Sequence, residues 1–383
     1  EVNDLKGAII ERSSGDARAA MCIIDTFNDL DIGKKVLEKY PQMIIAGEME
    51  NHARHSGVHA AGIIVTEDPV SKYCSVSAQT GAAQIDKKDA ENLNLLKIDA
   101  LGLRTLSVLQ DSLDQVGWSR EKLLNYPTDD KKAFAILNDE RYAGIFQFEG
   151  YALQSVTRQM KVHNFEDIAA ITSLARPGPL MSGGTSQFIK RHTGKEEIQY
   201  LHEMTKDITK VTNGVVIYQE QVMTIGREIG KLSWEDVNQL RRAMSRSLGQ
   251  EFFDKYFEKF KKGAEENGIS EKEAKVIWDH INPMGSMAFN RSHAISYGLV
   301  SYWCCVIKCK FPLEFAAACL RNVKDEDQGI KLLREVAREG LSYKPFDKFK
   351  SEINWSVQEG ELIGGLIGIK GIGPKMAEDI IER

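Results

Sequence analysis

A chain of 383 residues, 42% hydrophobic and 27% charged, has the make-up of a folded globular protein, and its length predicts two or three domains rather than one core. Disorder is excluded by this balance, and no stretch approaches the roughly 20 apolar residues that a membrane span needs. The net charge of −5 excludes a uniformly basic surface but leaves room for a local basic face, which is all that phosphate contacts require.

From residue 13 to 50 the chain reads as short helices, with Met21, Ile24, Phe27 and Leu30 at helical spacing. At Gly57 the pattern changes to VHAAGIIVT, a β-branched run expected to form a buried strand. A second run, NLLKID at 94–99, predicts a partner strand in the same sheet. After Gly102 about two hundred mainly helical residues follow, punctuated by RPGPL at 176–180 and INPMGSM at 281–287. The longest apolar run, Tyr297 to Ile307, is broken by Ser301 and closed by Lys308. The end, GGLIGIKGIGPKMAEDIIER, reads as a compact unit of its own. Six cysteines occur without CxxC pairs, so buried reduced thiols are expected rather than a zinc site. The first residue is Glu1 and nothing near it reads as a signal peptide, so the chain is expected to be a segment of a longer one.

Four motifs could carry chemistry. Lys97-Ile98-Asp99 ends an apolar strand, where a carboxylate can face a cleft and take Mg²⁺. A two-metal site needs more than one carboxylate, and the nearest acidic pair, Asp29 and Asp31, lies among helical residues, so the metal site reads as incomplete. Arg241 and Arg242, with Arg246, give a basic helix surface within a lysine-rich stretch ending at Lys262, and the acids of 265–273 are expected to lie away from it. Asn290, Arg291, Ser292 and His293 stand just before an apolar helix. Asn290 or Ser292 suits the N-cap, and a helix N-terminus beside a cation is a ready phosphate site. Gly371-Ile372-Gly373 before a helix has the form of the second half of a helix-hairpin-helix, whose backbone donors, with Lys370 and Lys375, could address DNA phosphates. His55 and His59 share a spacing that suggests metal binding, but core or hinge histidines are the simpler expectation.

The order and wording of these segments resemble one family. ARHSGVHAAGIIVT, LLKIDALGLRTL, GIFQFEG, ARPGPLMSG, VIYQEQVM, LRRAMSR, FNRSHAISYGLVSY and KGIGPKMAEDII are similar, collinearly, to the blocks of the C-family of bacterial replicative DNA polymerases, the alpha subunits of DNA polymerase III. The resemblance runs from about Arg54 to the last residue. It implies a mainly α, multidomain fold with a small α/β palm portion of the polymerase β-like nucleotidyltransferase type. By the resemblance, 1–55 would be the remainder of a thumb, 56–102 a second palm segment, 103–345 helical fingers and 346–383 the start of a helix-hairpin-helix DNA-binding region.

The function so implied is template-directed addition of dNTPs to a primer by two-metal phosphoryl transfer, with Mg²⁺ as cofactor. Asp99 would be the third metal-binding aspartate and, with Lys97, catalytic. Arg241, Arg242, Asn290, Arg291, Ser292 and His293 would face the nucleotide, and Lys370, Gly371, Gly373 and Lys375 the DNA. Partners implied are primer-template DNA, dNTPs, an upstream segment bearing the other aspartates, a sliding clamp and other replisome subunits, in the cytoplasm of a bacterium or of a virus's bacterial host. Two departures stand out: the block carrying the first aspartate pair is absent, and Ala100 replaces the usual aromatic residue. The rival reading is a catalytically incomplete fragment of a split or degenerate polymerase that binds DNA or a partner chain. A metal-dependent nuclease using Asp99 ranks lower, for want of a second carboxylate cluster.

Overall fold

A computed structural model of the chain describes residues 2–10, 21–50, 52, 57–100, 102–176, 179, 183–246, 250–284, 288–323 and 326–382. At 2, 243–246, 250–254 and 282–284 it describes the backbone alone. It divides into two compact units, Glu1–Leu103 and Arg104–Arg383.

In the first unit the helices α1 (Val2–Ala8), α2 (Cys22–Asp29), α3 (Asp31–Lys39) and α4 (Ile44–Glu48) gather around Leu5, Phe27 and Val36. The helical periodicity of 21–50 is thus realised, whereas 13–20 lies outside the described residues. Strand β1 (Gly62–Val65) pairs antiparallel with β2 (Leu96–Asp99), so the two expected strands do share a sheet. The intervening α5 (Lys87–Asn92) is capped by Asp86, whose side chain accepts from the Asp89 N–H.

The expectation of a buried strand is corrected. Ile63 lies opposite Ile98 and Val65 opposite Leu96, which puts all four on one face, and they remain 46–60% exposed. The sheet is a two-stranded ribbon. Alternating side chains can bury only the face that something covers, and here the apolar face is left open among the described residues.

The second unit is helical: α6 (Arg104–Val116), α7 (Arg120–Leu124), α8 (Lys131–Asn138), α9 (Tyr151–Met160), α10 (Phe165–Leu174), α11 (Gly184–His192), α12 (Gln219–Glu228), α13 (Trp234–Arg246), α14 (Gln250–Glu266), α15 (Glu271–Met284), α16 (Arg291–Lys310), α17 (Pro312–Arg321) and α18 (Glu326–Arg338). Helix α16 is the axis. Its second half, Val300 to Ile307, is apolar nearly all round, a pattern that belongs in the middle of a helical cluster, and it packs on α6, α8, α10 and α17. Cys304 and Cys305 are buried there and Cys319 on α17. Burial pushes the Cys304 thiol up to about 12. These are inert small apolar groups.

A second core, from Val216 to Ile281 and centred on Phe260 and Trp278, is built by α12–α15. This lobe is inserted between two stretches that meet. Tyr218 bridges Phe289, with the Gln219 N–H donating to the Phe289 carbonyl and the Phe289 N–H to the Ile217 carbonyl, each at 2.9 Å. The chain therefore leaves and re-enters the main core at one neck. Past α18, a small sheet of β3 (Tyr343–Lys344), β4 (Ser356–Gln358) and β5 (Glu361–Ile363) has β5 central, parallel to β3 and antiparallel to β4. The last helix is α19 (Pro374–Ile381).

Two histidines make the helical unit acid-sensitive. Burial, followed by the charge of Arg191, lowers the pKa of His280, and burial with Arg176 lowers that of His293. The unfolded chain titrates these near 6.5, so below that pH it binds protons that the folded state refuses. Stability is expected to be full above about pH 6.5 and to fall as pH drops towards the depressed folded values. The urea midpoint should decline from pH 7.5 to 5.5, and His280→Gln should flatten that decline. An equal slope in the variant would contradict the assignment.

Candidate functional site

Asp99 stands at the end of β2 directly across from Gly62. A side chain at Gly62 would press within 3 Å of His59 Nδ1 and Lys97 Cε, so the glycine makes room for both side chains beside the carboxylate. Lys97 Nζ lies 2.7 Å from Asp99 Oδ1 and His59 Nε2 3.8 Å from it. The Lys97 ammonium holds the Asp99 carboxyl below its ordinary value. Asp99 is therefore an anion at neutral pH, half exposed, in an ion pair that itself contributes little to stability.

Next to it a cavity of about 660 Å³ is lined by His59, Gly62, Gln84, Asp86, Lys87, Asp89 and Lys97. His59 is no core histidine: its side chain is 47% exposed and takes the Ala61 N–H at 3.2 Å. His55 lies outside the described residues.

Does this arrangement fit a metal? Asp99 offers one carboxylate, already neutralised by a lysine. Among the described residues no group of three His, Cys, Asp or Glu side chains could hold an ion. These residues alone do not fit a two-metal centre, which needs more than one carboxylate.

In the helical unit, Asn290 is the N-cap of α16 as expected, its side chain accepting from the His293 N–H at 2.8 Å. The helix end is not open, however. Glu220, in the first turn of α12, accepts from the Arg291 N–H at 2.9 Å and from Asn290 Nδ2 at 3.1 Å. Glu166, in the first turn of α10, takes Arg291 Nη2 at 3.1 Å. Carboxylates thus occupy the positions where phosphate oxygens were expected, as the positive end of a helix favours.

The His293 ring stacks on Tyr297, with centroids 4.0 Å apart, and meets Phe289 edge-on. Arg176 lies over the Phe289 ring at 3.7 Å. Ser292 is exposed, and its carbonyl accepts from Ser296 Oγ. Glu166, Arg176, Tyr218, Glu220 and Phe289 are site residues that sequence reasoning passed over. The available signal was modest: an acid within two or three positions of a helix start.

Arg241 donates to Asn238 on its own helix at 3.2 Å, and Arg242 is exposed. The side chain of Arg246 lies outside the described residues. The surrounding basic run is less free than its sequence promised. Lys259 pairs with Asp236 at 2.8 Å because α13 and α14 pack together, and Lys261 with Glu271 at 3.2 Å because α15 packs on α14 and returns the acidic stretch onto the basic one. Helix α12, which carries Glu220 at its start, packs along α13, the helix of Arg241 and Arg242.

At the end of the chain Lys370, Gly371, Gly373 and Lys375 are all exposed. Gly371 has φ +94°, a value that only glycine adopts readily, and Gly373 is the N-cap of α19.

Mainly α with a small α/β portion, the chain matches two family models in succession over residues 9–268. Residues 9–102 match the bacterial DNA polymerase III alpha NTPase domain, and residues 103–268 match the bacterial DNA polymerase III alpha subunit finger domain. The chain is 32% identical over 343 residues to the DNA polymerase III subunit alpha of Aquifex aeolicus, 33% over 356 residues to that of Escherichia coli K12 and 34% over 359 residues to that of Thermus aquaticus. These alignments take in 88–90% of this chain and 29–31% of each relative. The chain belongs to the DNA polymerase III alpha subunit family and spans under a third of the length of these relatives. No helix among the described residues is long and apolar enough to cross a membrane.

Proposed function

We propose that the chain is the part of a replicative DNA-directed DNA polymerase that supplies one palm carboxylate and the fingers. The observation that carries the reading is the alignment with DNA polymerase III alpha subunits across 88–90% of the chain, with Asp99 anionic at a strand end inside the segment matched by the alpha NTPase domain. In the complete enzyme Asp99 would be one Mg²⁺ ligand among carboxylates from elsewhere, with Lys97 orienting it. Asn290 to His293, together with Arg241 and Arg242, would receive the triphosphate. The setting is the bacterial cytoplasm, with primer-template DNA, dNTPs and the clamp-bound replisome as partners.

The test is primer extension by a chimera of the Aquifex aeolicus relative in which this chain replaces its matching stretch. Template-dependent incorporation by the chimera and none by the 383-residue chain alone is the expected outcome. Incorporation by the chain alone would reject the view that its carboxylate set is incomplete.

In the same reading the Lys370–Lys375 turn is the phosphate-contacting hairpin of a helix-hairpin-helix region, binding duplex DNA without sequence preference. Gly371→Val should cut that affinity severalfold through the backbone, since a Cβ at Gly371 meets nothing within 4 Å while φ +94° disfavours any β-branched residue. Affinity should also fall steeply with salt. Unchanged binding after deletion of 364–383 would show the hairpin to be structural only.

A further inference from the structure

We infer that Glu220 is a tethered competitor for the phosphate position at the start of α16 and so determines how much negative charge a ligand must bring to bind there. This rests on the reading that Asn290–His293 receives the triphosphate.

The donors that a phosphate would use are intact but spent. The Arg291 N–H and Asn290 Nδ2 both go to Glu220, and Nη2 of the Arg291 guanidinium goes to Glu166. A separate observation shows that the carboxylates do not satisfy the site. Arg291 Nε is buried with no hydrogen-bond partner, and so is the Tyr218 hydroxyl. Tyr218 is 1% exposed, and Ser173 is the side chain within its reach. The Arg291 guanidinium stands 5.7 Å from the centre of its ring. Arg291 Nε thus lacks an acceptor on a guanidinium whose Nη2 is held by Glu166, and a ligand with several oxygens would answer it.

Glu220 cannot diffuse away, so it competes at an effective concentration on the order of millimolar. A singly charged anion does not displace it. A triphosphate, with several charges converging on one helix end and one guanidinium, does. Glu220 is in this sense a specificity-determining residue, one that rejects weakly charged anions.

Calorimetric titration of the 383-residue chain with dATP, and separately with inorganic phosphate, tests this. Glu220→Gln keeps the side-chain length and an oxygen for the Arg291 N–H while removing the charge. It is expected to tighten dATP about two- to fivefold, the worth of one charge at a helix end, and to tighten phosphate by at least as much, narrowing the preference between them. Glu220→Asp keeps the charge and should not tighten either ligand. Arg291→Ala should weaken dATP in both the parent and the Glu220→Gln background. Weaker dATP binding in Glu220→Gln, with Arg291→Ala also weakening it, would overturn the competitor role and leave the phosphate site standing, with Glu220 merely ordering its donors. If Arg291→Ala has no effect in either background, the phosphate site itself is wrong and the competitor role falls with it.

Discussion

Lys308→Met is expected to destabilise the helical unit by about 3 kcal/mol or more, the loss usual when one partner of a buried ion pair is removed. The Lys308 side chain is 6% exposed and its ammonium lies 2.7 Å from Glu339, itself 5% exposed. It also donates to the carbonyls of Arg141 at 3.1 Å and Ala143 at 3.0 Å. Arg141 closes the other side of Glu339 at 2.8 Å. One ammonium at the end of the central helix thus ties the loop after α8 to the turn that follows α18. Without it, two carbonyls lose a donor and a buried carboxylate keeps only a partly exposed partner. The melting temperature should drop by roughly 5–10 °C, given how enthalpy scales with a domain of this size. The double variant Lys308→Met, Glu339→Leu should recover much of the loss, because a buried pair replaced as a whole costs little. A single variant within about 1 °C of the parent would show that the network carries no net weight.

Much of the fold was legible because its signals are local. The helical spacing of Met21 to Leu30, the apolar run of α16 and the strand pair 62–65 and 96–99 all express periodicities of side-chain direction, which the sequence displays without reference to distant residues. Asn290 as a cap is of the same kind. What was not legible depends on partners far apart in the chain. Glu220 and Asn290 are 70 residues apart, and nothing near either of them announces that the helix start would hold a carboxylate instead of standing open. Lys259 and Lys261 read as a basic face until α15 and the start of α13 bring Glu271 and Asp236 against them. The burial expected of the 62–65 strand failed for a different reason. A β-branched run identifies a face suited to burial, but whether another element covers it is a property of the surroundings and not of the run.

The sharpest effect of a single substitution is expected at Asp99. Its carboxylate is anionic, half exposed and held by Lys97, and the proposed role has it as one of the carboxylates that would hold Mg²⁺ in the complete enzyme. Removing one group of that kind costs about 10²-fold or more in rate, while Asp99→Asn, isosteric and on an exposed ribbon, should leave the melting temperature within about a degree. The decisive measurement is template-dependent dNTP incorporation by the chimera of this chain with the Aquifex aeolicus relative, with and without Asp99→Asn. Incorporation by the parent chimera and a fall of about 10²-fold or more in the folded variant is the result that the assignment of Asp99 to a polymerase palm predicts. An active chimera whose Asp99→Asn variant incorporates within twofold of it would contradict that assignment.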